Sequence, residues 1–117
     1  MSPNKKTIET YMDGFRETNH EKILSCLTDD ITSDMHGYFH HSGKEAFDRE
    51  IENDLFVGKP TIQIIRMVEE DNIVVAEGTV QAQMKSGDVL DALFCDVFHM
   101  ENGKIKKLST YQMNRSK

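Results

Sequence analysis

Midway along this chain of 117 residues the hydrophobic period changes, and that change limits the fold more than any single motif does. As far as Leu55 the apolar residues recur at helical spacing. From Thr61 onward they alternate. Ile8, Tyr11, Met12 and Phe15 fall at i, i+3, i+4 and i+7, an apolar stripe along one helix face. Ser2 and Pro3 supply its cap and first position. Asn19 can cap a second, shorter helix with Ile23, Leu24 and Leu27 inward. "DDITSDMHG" reads as a short strand leading into a loop, "YFHH". Ser42 and Glu45 then have the spacing of a capping box opening a third helix, with Phe47, Ile51 and Leu55 on its inner face. Asp48, Glu50, Glu52 and Asp54 make its other side acidic, as a solvated face would be.

After Gly58 and Pro60 come the strands "TIQIIRMVEE", "NIVVAEGTVQAQM", "VLDALFCDVFHM" and "KIKKLSTYQM". "KSGD" turns the chain between the second and third. Asn102–Gly103 marks a two-residue hairpin before the last. Helices first and antiparallel strands afterwards predict an α+β fold, with three helices on one face of a curved, mainly antiparallel sheet. The length suits one domain spanning residues 1–117, with no repeat or linker inside it.

Composition excludes several functions. A net charge of −6 disfavours nucleic acid and anionic membranes as partners, and the basic group Lys104, Lys106 and Lys107 lacks interleaved aromatics. Cys26 and Cys95 lie in apolar patterns without CxxC spacing and read as free, buried thiols of a reducing compartment. No segment reaches transmembrane length, and "MSPNKKTIET" has no apolar stretch suited to a leader, so a cytoplasmic location is expected. His36, His40 and His41 match no metal-ligand spacing, and no glycine-rich loop joins a strand to a helix. No metal and no cofactor are expected.

The residue that stands out is Asp96. Strand side chains alternate, so Phe94, Asp96, Phe98 and Met100 share one face. A carboxylate among such neighbours is costly unless it is paired, protonated or at work. Desolvation is expected to raise its pKa and keep it a neutral donor near pH 7. On the opposite face Val89, Leu93, Cys95 and Val97, with His99 beside them, suggest a sheet-to-sheet homodimer.

"TYMDGFRETNHEKILSCLTDDIT", "SGKEAF" and "DVFHMENGKI…STY" together, at these spacings, resemble the nuclear transport factor 2-like superfamily, particularly its ketosteroid isomerase and SnoaL-like polyketide cyclase branches. The resemblance covers almost the whole length. It implies a cone of sheet around an apolar pocket, covered by helices and often dimeric through the outer sheet face. In the ketosteroid isomerases a tyrosine of the first helix and an aspartic acid of a late strand donate hydrogen bonds to a substrate oxyanion. Tyr11 and Asp96 fall at those positions. The family's proton-moving aspartate falls on Met35, and a catalytic aspartate of the limonene epoxide hydrolase-like members falls on Met113. Asp34 and His36 flank Met35 and are the substitutes the sequence offers.

The resemblance thus implies catalytic roles for Tyr11, Asp96 and either Asp34 or His36. It implies a ligand-binding wall drawn from Phe15, Met35, His40, Phe56, Phe94, Phe98, Tyr111 and Met113. Two functions are compatible with this set. One is isomerase- or cyclase-type proton transfer on a small apolar molecule bearing oxygen. The other is a non-catalytic pocket protein or dimeric scaffold.

Overall fold

A computed structural model, which describes residues 1–115, contains three helices and a six-stranded mixed sheet that does not close. Helix α1 (Pro3–Glu17) buries Ile8, Tyr11 and Met12, the stripe its periodicity marks. The Ser2 hydroxyl accepts from the Lys5 amide and caps it. Helix α2 (His20–Leu24) is capped by Asn19, whose side chain accepts from the Lys22 amide. Its C-terminal neighbour Leu27 is not helical: it opens strand β1 (Leu27–Met35) and is 1% exposed there.

The segment read as a loop is strand β2 (Phe39–Ser42), paired antiparallel with β1. This pairing removes the expected capping box. Ser42 is held opposite Thr32 in the ladder, and helix α3 (Lys44–Ile51) starts from Gly43 without a side-chain cap. The helix also stops before Leu55, which is 59% exposed.

Strands β3 (Phe56–Glu70), β4 (Ile73–Met84), β5 (Val89–Glu101) and β6 (Lys104–Asn114) form a meander. β3 begins ahead of the expected Thr61 and takes in Pro60. That is tolerated because β3 is an edge strand with irregular register between Val57 and Thr61. The order β2-β1-β6-β5-β4-β3 places β1 parallel to β6, which makes the sheet mixed. Asn102 and Gly103 take positive φ of 51° and 78°, the backbone that a two-residue hairpin needs.

The core lies between the helices and the inner face of the sheet. Ile8, Ile23, Leu27, Ile31, Val74, Phe98 and Ile105 are its most deeply buried large side chains. No helix among the described residues is long and apolar enough to cross a membrane. Cys26 is buried and free, while Cys95, on the outer face, is free and only half-buried.

Candidate ligand-binding site

Alternation along β5 sends Ala92, Phe94, Asp96, Phe98 and Met100 inward, and all are buried. Asp96 is 7% exposed. Its cross-strand partner on β6 is Thr110, whose Oγ1 donates to Asp96 Oδ1 at 2.8 Å. Burial pushes the carboxyl up to about 7, and the Thr110 hydroxyl, which favours the charged form, offsets only part of that rise. Near neutral pH Asp96 therefore interconverts between a donor and an acceptor. Tyr11 reaches the same region from α1. Its phenol is pushed well above the ordinary value by burial first, then by the charges of Asp96 and Cys26. The Tyr11 ring is fixed edge-on against Phe15 at 5.1 Å and Phe98 at 5.4 Å.

A cleft of about 600 Å³ opens at the end of the sheet that holds Ala82 and Leu90. Successive rows of the ladder set its depth. Leu90 and Ala82 pair at the mouth and both line the cleft. Next come Val80, Ala92 and Asn114 across β4, β5 and β6, then Gly78, Phe94 and Gln112, and then Ala76, Asp96 and Thr110. Gln112 and Met35 line the cleft, whereas Tyr11 and Asp96 lie below it. Along β5, Phe94 stands between the cleft and the carboxyl. Its ring lies over Gly78, where a Cβ would come within 2.6 Å of Phe94 Cζ.

Of the residues expected to form the wall, Phe15, Met35 and Phe56 line the cleft. Phe94 and Phe98 belong instead to the buried core, with Phe98 at 0% exposure against Tyr11. Asp34, His36, His40, Tyr111 and Met113 all sit on the outer face, away from the cavity. Strand alternation is the cause: Met35 faces in, so its neighbours face out. Asp34 pairs across the hairpin with His40, Oδ1 to Nδ1 at 2.5 Å, and His40 Nε2 meets the Ser42 hydroxyl at 3.2 Å. His36 stacks on Tyr111, which is 53% exposed. Met113 is 68% exposed. Neither Asp34 nor His36 shares a cavity with Asp96.

The histidine that turns inward is His41, with Nε2 3.1 Å from Glu50 Oε1. The acidic side of α3 is also more than a solvated face. Glu50 and Glu52 line the cleft, and His20 lies between Asp48 and Glu52. Gln112, Phe39 and the α3 acids escaped the sequence reading. Gln112 carried no signal in the sequence, because the bulge between His99 and Met100 decides that the Thr110 and Gln112 face, rather than the Tyr111 and Met113 face, turns inward. Among the described residues no group of histidine, cysteine and carboxylate side chains is arranged to hold a metal.

A family model described as "SnoaL-like domain" matches residues 8–108. No match is found among the curated proteins. Solved structures agree on the fold. An LEH-like epoxide hydrolase of Mycobacterium tuberculosis superposes with a TM-score of 0.83 at 15% identity, covering 95% of this chain and 83% of that one. TerC, co-crystallised with polyporic acid, gives 0.82 at 21% identity, covering 93% and 90%. A protein with a ketosteroid isomerase-like fold from Catenulispora acidiphila, in complex with trimethylamine, gives 0.81 at 13% identity, covering 90% and 83%.

Proposed function

The chain belongs to the SnoaL-like domain family, and from that premise we propose that it binds a small, largely apolar, oxygen-bearing molecule in its cleft. One observation carries this reading. A carboxyl that burial pushes up to about 7 lies one ladder row beneath Gln112 of a cavity of about 600 Å³, a size suited to a small organic ligand. Protonated Asp96 donates to the ligand oxygen with the Tyr11 hydroxyl beside it, and rotation of Phe94 off Gly78 opens the way down. Structures of the same fold that hold polyporic acid or trimethylamine are consistent with a ligand-sized site.

Proton transfer of the isomerase or cyclase kind falls to Asp96 alone in this reading, since Met35 occupies the inward position and Asp34 and His36 face outward. Binding is therefore the function the geometry supports best. Titration of the protein with 1-tetralone, an apolar ketone, tests it by methyl and carboxyl NMR. Shifts at Met35, Ile62 and Asp96 are expected, and Asp96→Leu should weaken binding while Asp96→Asn, which keeps a donor, should retain it. Shifts confined to the outer sheet face would refute the reading.

A scaffold role through a homodimer has its own support in the outer face, where Val89, Leu93, Tyr111 and Met113 are exposed at 52, 37, 53 and 68%. Sedimentation equilibrium at micromolar concentration should then return a mass near twice 13.4 kDa. A clean monomer would end that reading.

A further inference from the structure

The charge pattern of the cleft narrows the ligand class, and we infer that the occupant is an organic cation, an apolar body carrying an ammonium-type group that sits at the rim beside Glu50 and Glu52. This inference rests on the cleft being the binding site and goes one step beyond it.

Among the described residues lining the cleft, the charged ones are Glu50 and Glu52, and no lysine or arginine is among them. Both glutamates stand where a helix tolerates them worst. α3 ends at Ile51 with Glu52 as its C-cap, so the negative end of the helix dipole and two carboxylates meet at one edge of the cavity. Asp48 and Asp54 add to the same region of the chain. The groups facing these acids are histidines. His41 Nε2 is 3.1 Å from Glu50, and His20 lies 2.6 Å from Asp48 and 2.5 Å from Glu52. The two carboxylates hold the His20 imidazole above its ordinary value. Even with both imidazoles charged, Asp48, Glu50 and Glu52 outnumber them.

Nearby guanidinium groups are already paired. Arg49 reaches Glu45 at 3.4 Å, and Arg16 is held by Asp13 at 2.7 Å and by the Ile62 carbonyl at 2.9 Å. The cleft is also lined by aromatic rings, from Phe15, Tyr38, Phe39 and Phe56. Ring faces attract a poorly hydrated organic cation and offer nothing to an anion. Tyr38, 73% exposed at the mouth, leaves its ring free for that contact. An anionic ligand would meet two carboxylates and a helix C-terminus on entry.

Three soluble probes of one shape test this: choline, its uncharged carbon isostere 3,3-dimethylbutan-1-ol, and the anion 3,3-dimethylbutanoate. Each is titrated into the full chain at low salt, with the cleft methyls of Met35, Ile51 and Ile62 followed by NMR. Choline is expected to bind about tenfold more tightly than the alcohol, the sum of ring and carboxylate attraction. That preference should shrink with added salt and fall to the few-fold part owed to the rings in Glu50→Gln/Glu52→Gln, whose folding is checked by its melting curve. Equal or tighter binding of the alcohol or the anion overturns the cation assignment and leaves the cleft's binding role intact. The same holds if choline binds the double variant undiminished, since the carboxylates then play no part. If neither these probes nor 1-tetralone shifts a cleft resonance, both readings fall.

Discussion

Replacing Asp96 by asparagine isolates the cost of one buried charge. The carboxyl is raised from the ordinary 3.8 to about 7, with burial as the main cause. Each pKa unit corresponds to about 1.36 kcal/mol, so the shift amounts to roughly 4 kcal/mol between the two ends of the titration. Because the folded pKa is the higher one, the protonated group's contribution is fully present below about pH 4 and is lost as pH rises through about 7. Between those values the unfolded chain has released the proton and the folded chain has not, so wild-type stability falls with pH. Asparagine cannot ionise, keeps nearly the same shape, and still offers an oxygen to the Thr110 hydroxyl 2.8 Å away. Urea unfolding of both proteins at pH steps from 4 to 8 measures the difference, in which other titrating groups cancel. The variant should gain on wild type by roughly 4 kcal/mol across that range, with the gain levelling off above the folded pKa. Parallel stability curves would refute the reasoning, because they would mean that Asp96 ionises normally in the folded protein.

Two further substitutions probe the same floor. Thr110→Val removes the hydroxyl that favours the charged form, so the Asp96 carboxyl should titrate higher still by carbon NMR; an unchanged or lower midpoint would show that the hydroxyl is not bonded to it. Gly78→Ala places a Cβ 2.3 Å from the Gln63 carbonyl oxygen and 2.6 Å from Phe94 Cζ. Because one of these is a backbone atom in the β3–β4 ladder, the change should cost about 1–3 kcal/mol in urea unfolding, and a neutral result would mean that Gly78 is not packed this closely against the Gln63 carbonyl and the Phe94 ring.

Asp96 was legible because a strand's period of two needs no tertiary information. The face shared by Phe94, Asp96, Phe98 and Met100 follows from the sequence alone, and all are buried. Its partner was not legible. Counting back from the Asn102–Gly103 turn with Glu101 opposite Lys104 sets Asp96 across from Ser109. A bulge between His99 and Met100 shifts the ladder by one residue and brings Thr110 there instead. Ser42 shows a different limit. Its local pattern serves a capping box and a strand end equally well, and the pairing with Thr32 decides between them. The acids of α3 were legible as one side of a helix. That their C-terminal end opens on the cleft depends on how α3 sits against the sheet, which no helical wheel contains.

The same alternation bears on what the site can do. In the steroid-isomerase pattern the oxyanion donors and the base converge on one cavity, which requires an inward acid on β1. Met35 is the inward residue here, and any register shift that turned Asp34 inward would turn Met35 out and break the Asp34–His40 contact across the hairpin. β1 is also held on its other side by β6, with Asp34 opposite Ser109 and Met35 opposite Thr110, so such a slip would have to break two ladders at once. Tyr11 and Asp96, the latter bonded by Thr110, therefore lie together in the core, while Asp34 and His36 lie on the outer face of the sheet. Under the proposed binding role, Asp96 is the group through which pH would act on a ligand oxygen. Ligands that accept a hydrogen bond from the protonated carboxyl should lose affinity as pH rises through about 7, and Asp96→Asn should abolish the loss. Calorimetric titration of 1-tetralone at pH 6 and pH 8 reads this directly, and affinity that stays level in the wild type would show that the oxygen binds elsewhere.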